Sequence, residues 1–156
     1  MYRIIVVSDT HRHLDHIVRV LDNIREFDMI IHLGDNTADA RELKKLYPEA
    51  EVKWVQGNTD FPHPDSPTEL FEEIEGVPFL ITHGHIYGVK GGTERIYFRG
   101  CELGAEVVLF GHTHVPLCEC EDDMWLLNPG GHNSYERSIG IVEIENGGAK
   151  CCLYPC

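Results

Sequence analysis

The stretch Ile4-Ile5-Val6-Val7-Ser8-Asp9-Thr10-His11 sets a pattern that four further stretches repeat: an apolar run stopping at a polar cluster. Met29-Ile30-Ile31 leads through His32-Leu33 to Gly34-Asp35, and Val52-Lys53-Trp54-Val55 ends at Gly57-Asn58-Thr59-Asp60. Phe79-Leu80-Ile81 ends at Thr82-His83-Gly84-His85, and Val107-Val108-Leu109-Phe110 at Gly111-His112-Thr113-His114. Short β-branched runs of this kind predict buried strands of a largely parallel sheet. In such sheets a ligand sits outside the carboxyl ends of the strands. The clusters therefore fall on the edge where a site belongs, and their Asp, Asn and His side chains are those of a metal site.

Between the runs, strand alternates with helix. Leu14, Ile17, Val18, Leu21 and Ile24 fall at helical spacing, predicting an amphipathic helix over 13–26. A second helix is expected over 38–46, closed off by Pro48, and the three prolines of 61–67 predict a loop. Residues 68–75 and 77–82 read as a strand pair turned at Gly76, and a helix over 93–103 precedes the Val107 run. From 115 onward hairpin strands are expected over 115–121, 124–127, 139–145 and 149–154, with turns at Asp122-Asp123 and Asn146-Gly147. A βαβαβ start with an antiparallel finish implies a layered α/β sandwich, two sheets face to face, in a single domain over 1–156.

Composition narrows the function. With 156 residues, 42% hydrophobic and 25% charged, the chain is long enough for a real core. No apolar stretch approaches the roughly 20 residues of a membrane helix, and the first residues enter a strand directly, so a cytoplasmic protein is expected. A net charge of −13 repels a phosphate polymer, which argues against long nucleic acid, while bound divalent metals would still admit a small anionic substrate. The six cysteines all fall after residue 100 and match no standard zinc spacing. They are expected as free thiols, with Cys118-Glu119-Cys120 and Cys151-Cys152 able to meet on neighbouring strands. A homo-oligomer is left open.

Asp9 and His11 lie two apart, a spacing that on extended backbone points both side chains the same way; His83 with His85 and His112 with His114 repeat it. Glycine precedes Asp35, Asn58 and His112, permitting sharp turns next to a ligand. Nitrogen and oxygen donors without cysteine suit Mn²⁺, Fe, Zn²⁺, Co²⁺ or Ni²⁺. Asp9, His11, Asp35, Asn58, His83, His112 and His114 are too many for one ion with an open position, and two ions sharing a bridging carboxylate accommodate them. Each cluster alone is ordinary strand-end chemistry; the specificity lies in all five, in order, on one edge.

That ordered set resembles the calcineurin-like metallophosphoesterase superfamily, and within it the small single-domain phosphodiesterase branch. The resemblance runs from Asp9 to the Asn128-Pro129-Gly130 turn and takes in Tyr87-Gly88-Val89-Lys90. It implies a four-layer αββα sandwich, two mixed β-sheets flanked by helices. It implies that Asp9, His11, Asp35 and His114 hold one metal, and that Asp35 bridges to a second, which also takes Asn58, His83 and His112. The activity implied is hydrolysis of small phosphodiesters by a hydroxide bridging two divalent ions, Mn²⁺ first among the candidates, with Asn58 and His112 stabilising the developing charge. Asp60 and His85 are candidates to steady the ligands from behind, Asp60 by orienting an imidazole, and Arg12 and Lys90 are candidates to meet the phosphate. His13 and His16 are expected to face water, His32 to sit satisfied in the core, and His63 and His132 to occupy loops near the pocket.

Two departures stand out. Thr59 occupies the position after the metal-binding Asn, where the wider superfamily often has a histidine that protonates the leaving group, and Arg12 stands where a small residue is common. Activated aryl diesters and cyclic diesters are the substrates this implies. The rival is a non-catalytic interaction scaffold of the same fold, resembling the retromer subunit; here all seven ligand positions are filled, which favours an enzyme.

Overall fold

The apolar runs are buried on both faces, and they build two sheets. The computed structural model describes residues 1–133 and 135–156. Strand β1 (Tyr2–Val7), helix α1 (Asp15–Ile24), β2 (Met29–His32), α2 (Thr37–Leu46) and β3 (Glu51–Trp54) form a βαβαβ unit. The hairpin β4 (Glu69–Ile74) and β5 (Val77–Thr82) follows, then α3 (Glu94–Leu103) and β6 (Val107–Leu109). The chain finishes with β7 (Leu117–Glu121), β8 (Met124–Asn128), β9 (Ser138–Glu145) and β10 (Gly148–Pro155).

The first sheet runs β10-β9-β1-β2-β3 and the second β4-β5-β6-β8-β7. Each has a parallel centre, β1 to β3 in one and β5, β6 and β8 in the other, with antiparallel strands outside it. The five runs thus divide between two sheets instead of lining up in one. The cause is the link after β3, which holds only an isolated bridge between His63 and Ser66, so the chain leaves the first sheet without a crossover helix. The turns at Gly76, Asp122-Asp123 and Asn146-Gly147 close hairpins as expected.

Period-2 alternation sorts the side chains into layers. Ile4, Val6, Met29 and Ile31 face Phe79, Ile81, Val107, Leu109 and Leu127 across the space between the sheets. Ile5, Val7 and Ile30 turn outward to Ile17 and Leu21 of α1 and Leu43 of α2. Leu80, Val108 and Leu126 turn the opposite way, to Ile96 of α3. The order is helices, sheet, sheet, helix: a four-layer αββα sandwich. Each fully buried Val, Leu or Ile contributes roughly 1.5–3 kcal/mol, and the alternation forbids a one-residue slip in any central strand.

All six cysteines are free thiols. Cys118 and Cys151 come from opposite sheets into the inter-sheet core, where burial pushes both thiols up, so the predicted meeting on neighbouring strands is instead a packing contact between layers. Among the described residues no helix is long and apolar enough to cross a membrane.

Candidate metal centre

β1, β2, β5 and β6 end just short of their polar clusters, and sharp turns take over. Asp9 (φ 53°), His11 (φ 43°), Asp35 (φ 60°), His112 (φ 68°) and His114 (φ 60°) all occupy the left-handed region. Convergence therefore comes from these turns, not from alternation along extended strands. Non-glycine residues held at positive φ store strain and cluster where a site over-determines them. Glycines let the backbones close in. A Cβ on Gly111 would meet the Ser8 hydroxyl and lie 2.8 Å from Asp9 Oδ2, and one on Gly57 would collide with the carboxylate and backbone nitrogen of Asp35.

The candidate donors face one another at short range. His83 is fully buried, and its Nδ1 lies 2.7 Å from the Leu33 carbonyl, which can only accept; Nδ1 therefore carries a hydrogen, and a neutral ring offers its lone pair at Nε2. That nitrogen faces Asn58 Oδ1 at 3.0 Å, His112 Nδ1 at 3.2 Å, Asp35 Oδ1 at 3.5 Å and Asp9 Oδ1 at 3.8 Å. His114 Nδ1–H donates to Asn133 Oδ1 at 3.2 Å, leaving Nε2 3.2 Å from Asp9 Oδ1. Asp9 Oδ2 accepts from Ser8 Oγ at 2.6 Å and from the His112 backbone N–H at 3.0 Å. Its other oxygen, Oδ1, is buried with no hydrogen-bond partner among the described residues. One ligating atom from each of Asp9, His11, Asp35 and His114 lies within 4.8 Å of the rest. A buried carboxylate oxygen without a donor costs several kcal/mol unless a cation meets it. The set of lone pairs fits divalent ions.

Behind the donors lie two carboxylates. Asp60 accepts four backbone N–H groups: Asp35 at 2.8 Å, Asn36 at 2.7 Å, Thr37 at 2.9 Å and Gly57 at 2.8 Å. It caps α2 in place of Asn36 and ties the Asp35 turn to the Asn58 turn. Its partners are backbone amides, not an imidazole. Asp39, which the sequence did not single out, accepts from Thr10 Oγ1 at 2.6 Å and from the Arg12 N–H at 2.8 Å. His32 completes that chain: its Nδ1 accepts from Gly34 N–H at 3.1 Å and its Nε2 donates to Thr10 Oγ1 at 2.8 Å. Burial pulls the His32 imidazole down to about 4. His112 is likewise lowered, by burial first and then by His83 and Lys90, which keeps its ring in the ligating form. For Asp35, burial alone would raise the carboxyl, but His83 and the Thr59 hydrogen bonds outweigh it and the net pull is downward.

The sequence profile of the calcineurin-like phosphoesterase superfamily domain matches residues 2–147. The chain belongs to that superfamily. It is 39% identical over 131 residues to a probable metallophosphoesterase of Methanothermobacter thermautotrophicus, covering 80% of this chain and 74% of the relative. It is also 29% identical over 160 residues to a phosphodiesterase of Methanocaldococcus jannaschii, covering 90% and 92%. In fold it is similar to wild-type Vps29 of Entamoeba histolytica complexed with zinc, with TM-score 0.78, 19% identity and 98% of each chain covered.

The remaining residues singled out from the sequence lie as follows. The His85 ring lies 5.4 Å from that of His83 and 6.0 Å from that of His112, and its Nδ1 is buried without a partner among the described residues. Lys90 is exposed on a short 3₁₀ turn. Arg12 is exposed and, with His11, Asn36, Arg41, Thr59 and Phe61, lines a cavity of about 520 Å³ beside the donors. His63 borders the same cavity, paired to Asp65, and His13 is exposed. His16 does not simply face water: it meets the fully buried His132. No signal in the sequence links those two, since they stand 116 positions apart.

Proposed function

We propose that this chain is a metal-dependent phosphodiesterase acting on small phosphodiesters. The observation that carries the reading is the convergence of carboxylate, amide and imidazole side chains around Asp9 Oδ1 and His83 Nε2. Asp9, His11, Asp35 and His114 would hold one divalent ion; Asp35, Asn58, His83 and His112 would hold a second. Bound there, such ions supply hydroxide at neutral pH and positive charge for the phosphoryl oxygens, and Mn²⁺ is the metal we assign first, with Ni, Fe, Zn and Co sharing its donor preference. The Leu33 carbonyl and Asn133 hold the imidazoles of His83 and His114 in the ligating tautomer. Asn58 and His112 reach the solvent side, where their side chains stabilise charge on the leaving oxygen.

The cavity supports the choice of substrate. About 520 Å³ suits a small diester, and Arg12 and Arg41 supply local positive charge on a chain of net −13. Phe61, 92% exposed, offers a flat apolar face to an aryl or base-like group. Thr59, exposed at the cavity, is too weak an acid to protonate a leaving group at neutral pH, which favours aryl and cyclic diesters. The test is hydrolysis of an aryl phosphodiester with added Mn²⁺, beside an Asp35→Ala control. Wild type no faster than that control overturns the proposal.

The likeness of fold to Vps29 carries a second reading, a non-catalytic interaction scaffold. The same assay separates the two, because a scaffold gives no turnover with any added metal.

A further inference from the structure

Three side chains from distant parts of the chain meet outside the centre described above. His16 lies in the first turn of α1, His132 follows the Gly130-Gly131 turn, and Cys156 follows β10. One ring nitrogen from each histidine and the Cys156 sulfur all lie within 4.8 Å of one another. The two rings are tilted at 32° with centroids 4.8 Å apart, and His16 Nε2 stands 2.6 Å from His132 Nδ1. A hydrogen between those two nitrogens satisfies one side of each ring. It leaves His132 Nε2, buried in a residue with no exposed surface, without a partner among the described residues. Whichever tautomer His132 adopts, a buried polar nitrogen is left over, and nothing in the catalytic arrangement uses it.

Two imidazoles and a thiolate are a donor set for a borderline-soft cation, unlike the oxygen and nitrogen set around Asp9. We propose that His16, His132 and Cys156 form a separate metal site of the zinc class, with a fourth position open to water. The site ties the start of α1, the 131–133 segment and the end of β10 together. It also backs the catalytic centre, because the His132 backbone N–H reaches the Asp9 carbonyl at 3.3 Å. The Cys156 backbone N–H, held 3.0 Å from the Arg137 carbonyl, fixes the thiol-bearing residue in place. The site is independent of the phosphodiesterase reading: a protein that hydrolyses nothing could still hold this ion.

Co²⁺ is the probe, added to the reduced full-length chain, because a thiolate ligand gives a charge-transfer band in the near ultraviolet that nitrogen and oxygen donors do not. The wild type is expected to show the band. Cys156→Ser should lose it, and His16→Gln, a change at a half-exposed helix position, should weaken Co²⁺ binding at this band by about tenfold or more. Cys118→Ser and Asp35→Ala should keep it, which sets failure of this site apart from failure of the catalytic one. No band in the wild type, or a band that survives Cys156→Ser, or one unchanged in His16→Gln, overturns the proposal.

Discussion

Asp60→Ala is the most informative single change outside the metal donors. The Asp60 carboxylate receives four backbone N–H bonds between 2.7 and 2.9 Å, three from the Asp35–Thr37 turn and one from Gly57. It also places a negative charge at the N-terminus of α2, where the helix dipole favours one. A hydrogen bond to a charged acceptor contributes roughly 1.5–3 kcal/mol, but Asp60 borders the open cavity and water can replace part of what is lost. At about 1 kcal/mol for each bond, the truncation costs about 4 kcal/mol. For a chain of this size that lowers Tm by about 8–16 °C. The proposed metal donors suffer too, since Asp35 and Asn58 sit on the two turns that Asp60 joins; a loss of about 10–100-fold in Mn²⁺ affinity is expected. Thermal melts followed by circular dichroism read the first effect and calorimetric Mn²⁺ titration the second. Asp60→Asn should fall between wild type and Ala, because its amide oxygen accepts while its NH₂ confronts two N–H donors. A loss below about 1 kcal/mol with unchanged Mn²⁺ affinity in Asp60→Ala would refute the claim that this carboxylate organises the two turns.

Gly57→Ala forces a Cβ into the Asp35 carboxylate and should cost about 1–3 kcal/mol while weakening Mn²⁺ binding, read by urea unfolding and calorimetry. In the metal-free protein His32 stays neutral down to about 4, whereas the unfolded chain takes up a proton near 6.5; stability should therefore fall by about 3 kcal/mol as pH drops from 6.5 to 4. His32→Gln should flatten that slope by one proton in unfolding measured across this range, and an unchanged slope would show that His32 is not the group responsible.

The clusters were legible because their residue types and order survive any arrangement of the strands. Asp9, Asp35, His83 and His112 can be picked out from their place after apolar runs, helix α1 from the spacing of Leu14, Ile17, Val18, Leu21 and Ile24, and the end of α2 from Pro48. Which strands share a sheet was not legible, because Val6 and Leu109 carry the same apolar signal whether they are neighbours or face each other across a core. The turn geometry was hidden as well: nothing in Asp9-Thr10-His11 announces two positive φ values. Asp39 reads as an ordinary helix-start acid until tertiary contact puts it on Thr10 and Arg12, and Asp60, expected from the sequence to orient an imidazole, proves to hold four backbone amides.

The division into two sheets has a consequence for stability. Asp9, His11, Asp35 and Asn58 follow strands of the first sheet, while His83, His112 and His114 follow strands of the second. Apolar packing joins the sheets along most of their length, but at this edge it gives way to two carboxylates and four imidazoles whose lone pairs oppose one another. Cations at that edge would act as staples between the layers, and since the unfolded chain offers no such cluster, their binding free energy adds to folding. At a free metal concentration a thousandfold above Kd, one ion adds about 4 kcal/mol. Chelator-treated protein should therefore melt lower than the same protein with Mn²⁺, by about 8–16 °C for one such ion. Asp35→Ala removes the carboxylate that both proposed ion positions would share, so it should lose most of the Mn²⁺-induced rise. If the variant keeps the full rise, the stabilising metal sits elsewhere and the two sheets are held at this edge by something other than the donors assembled there.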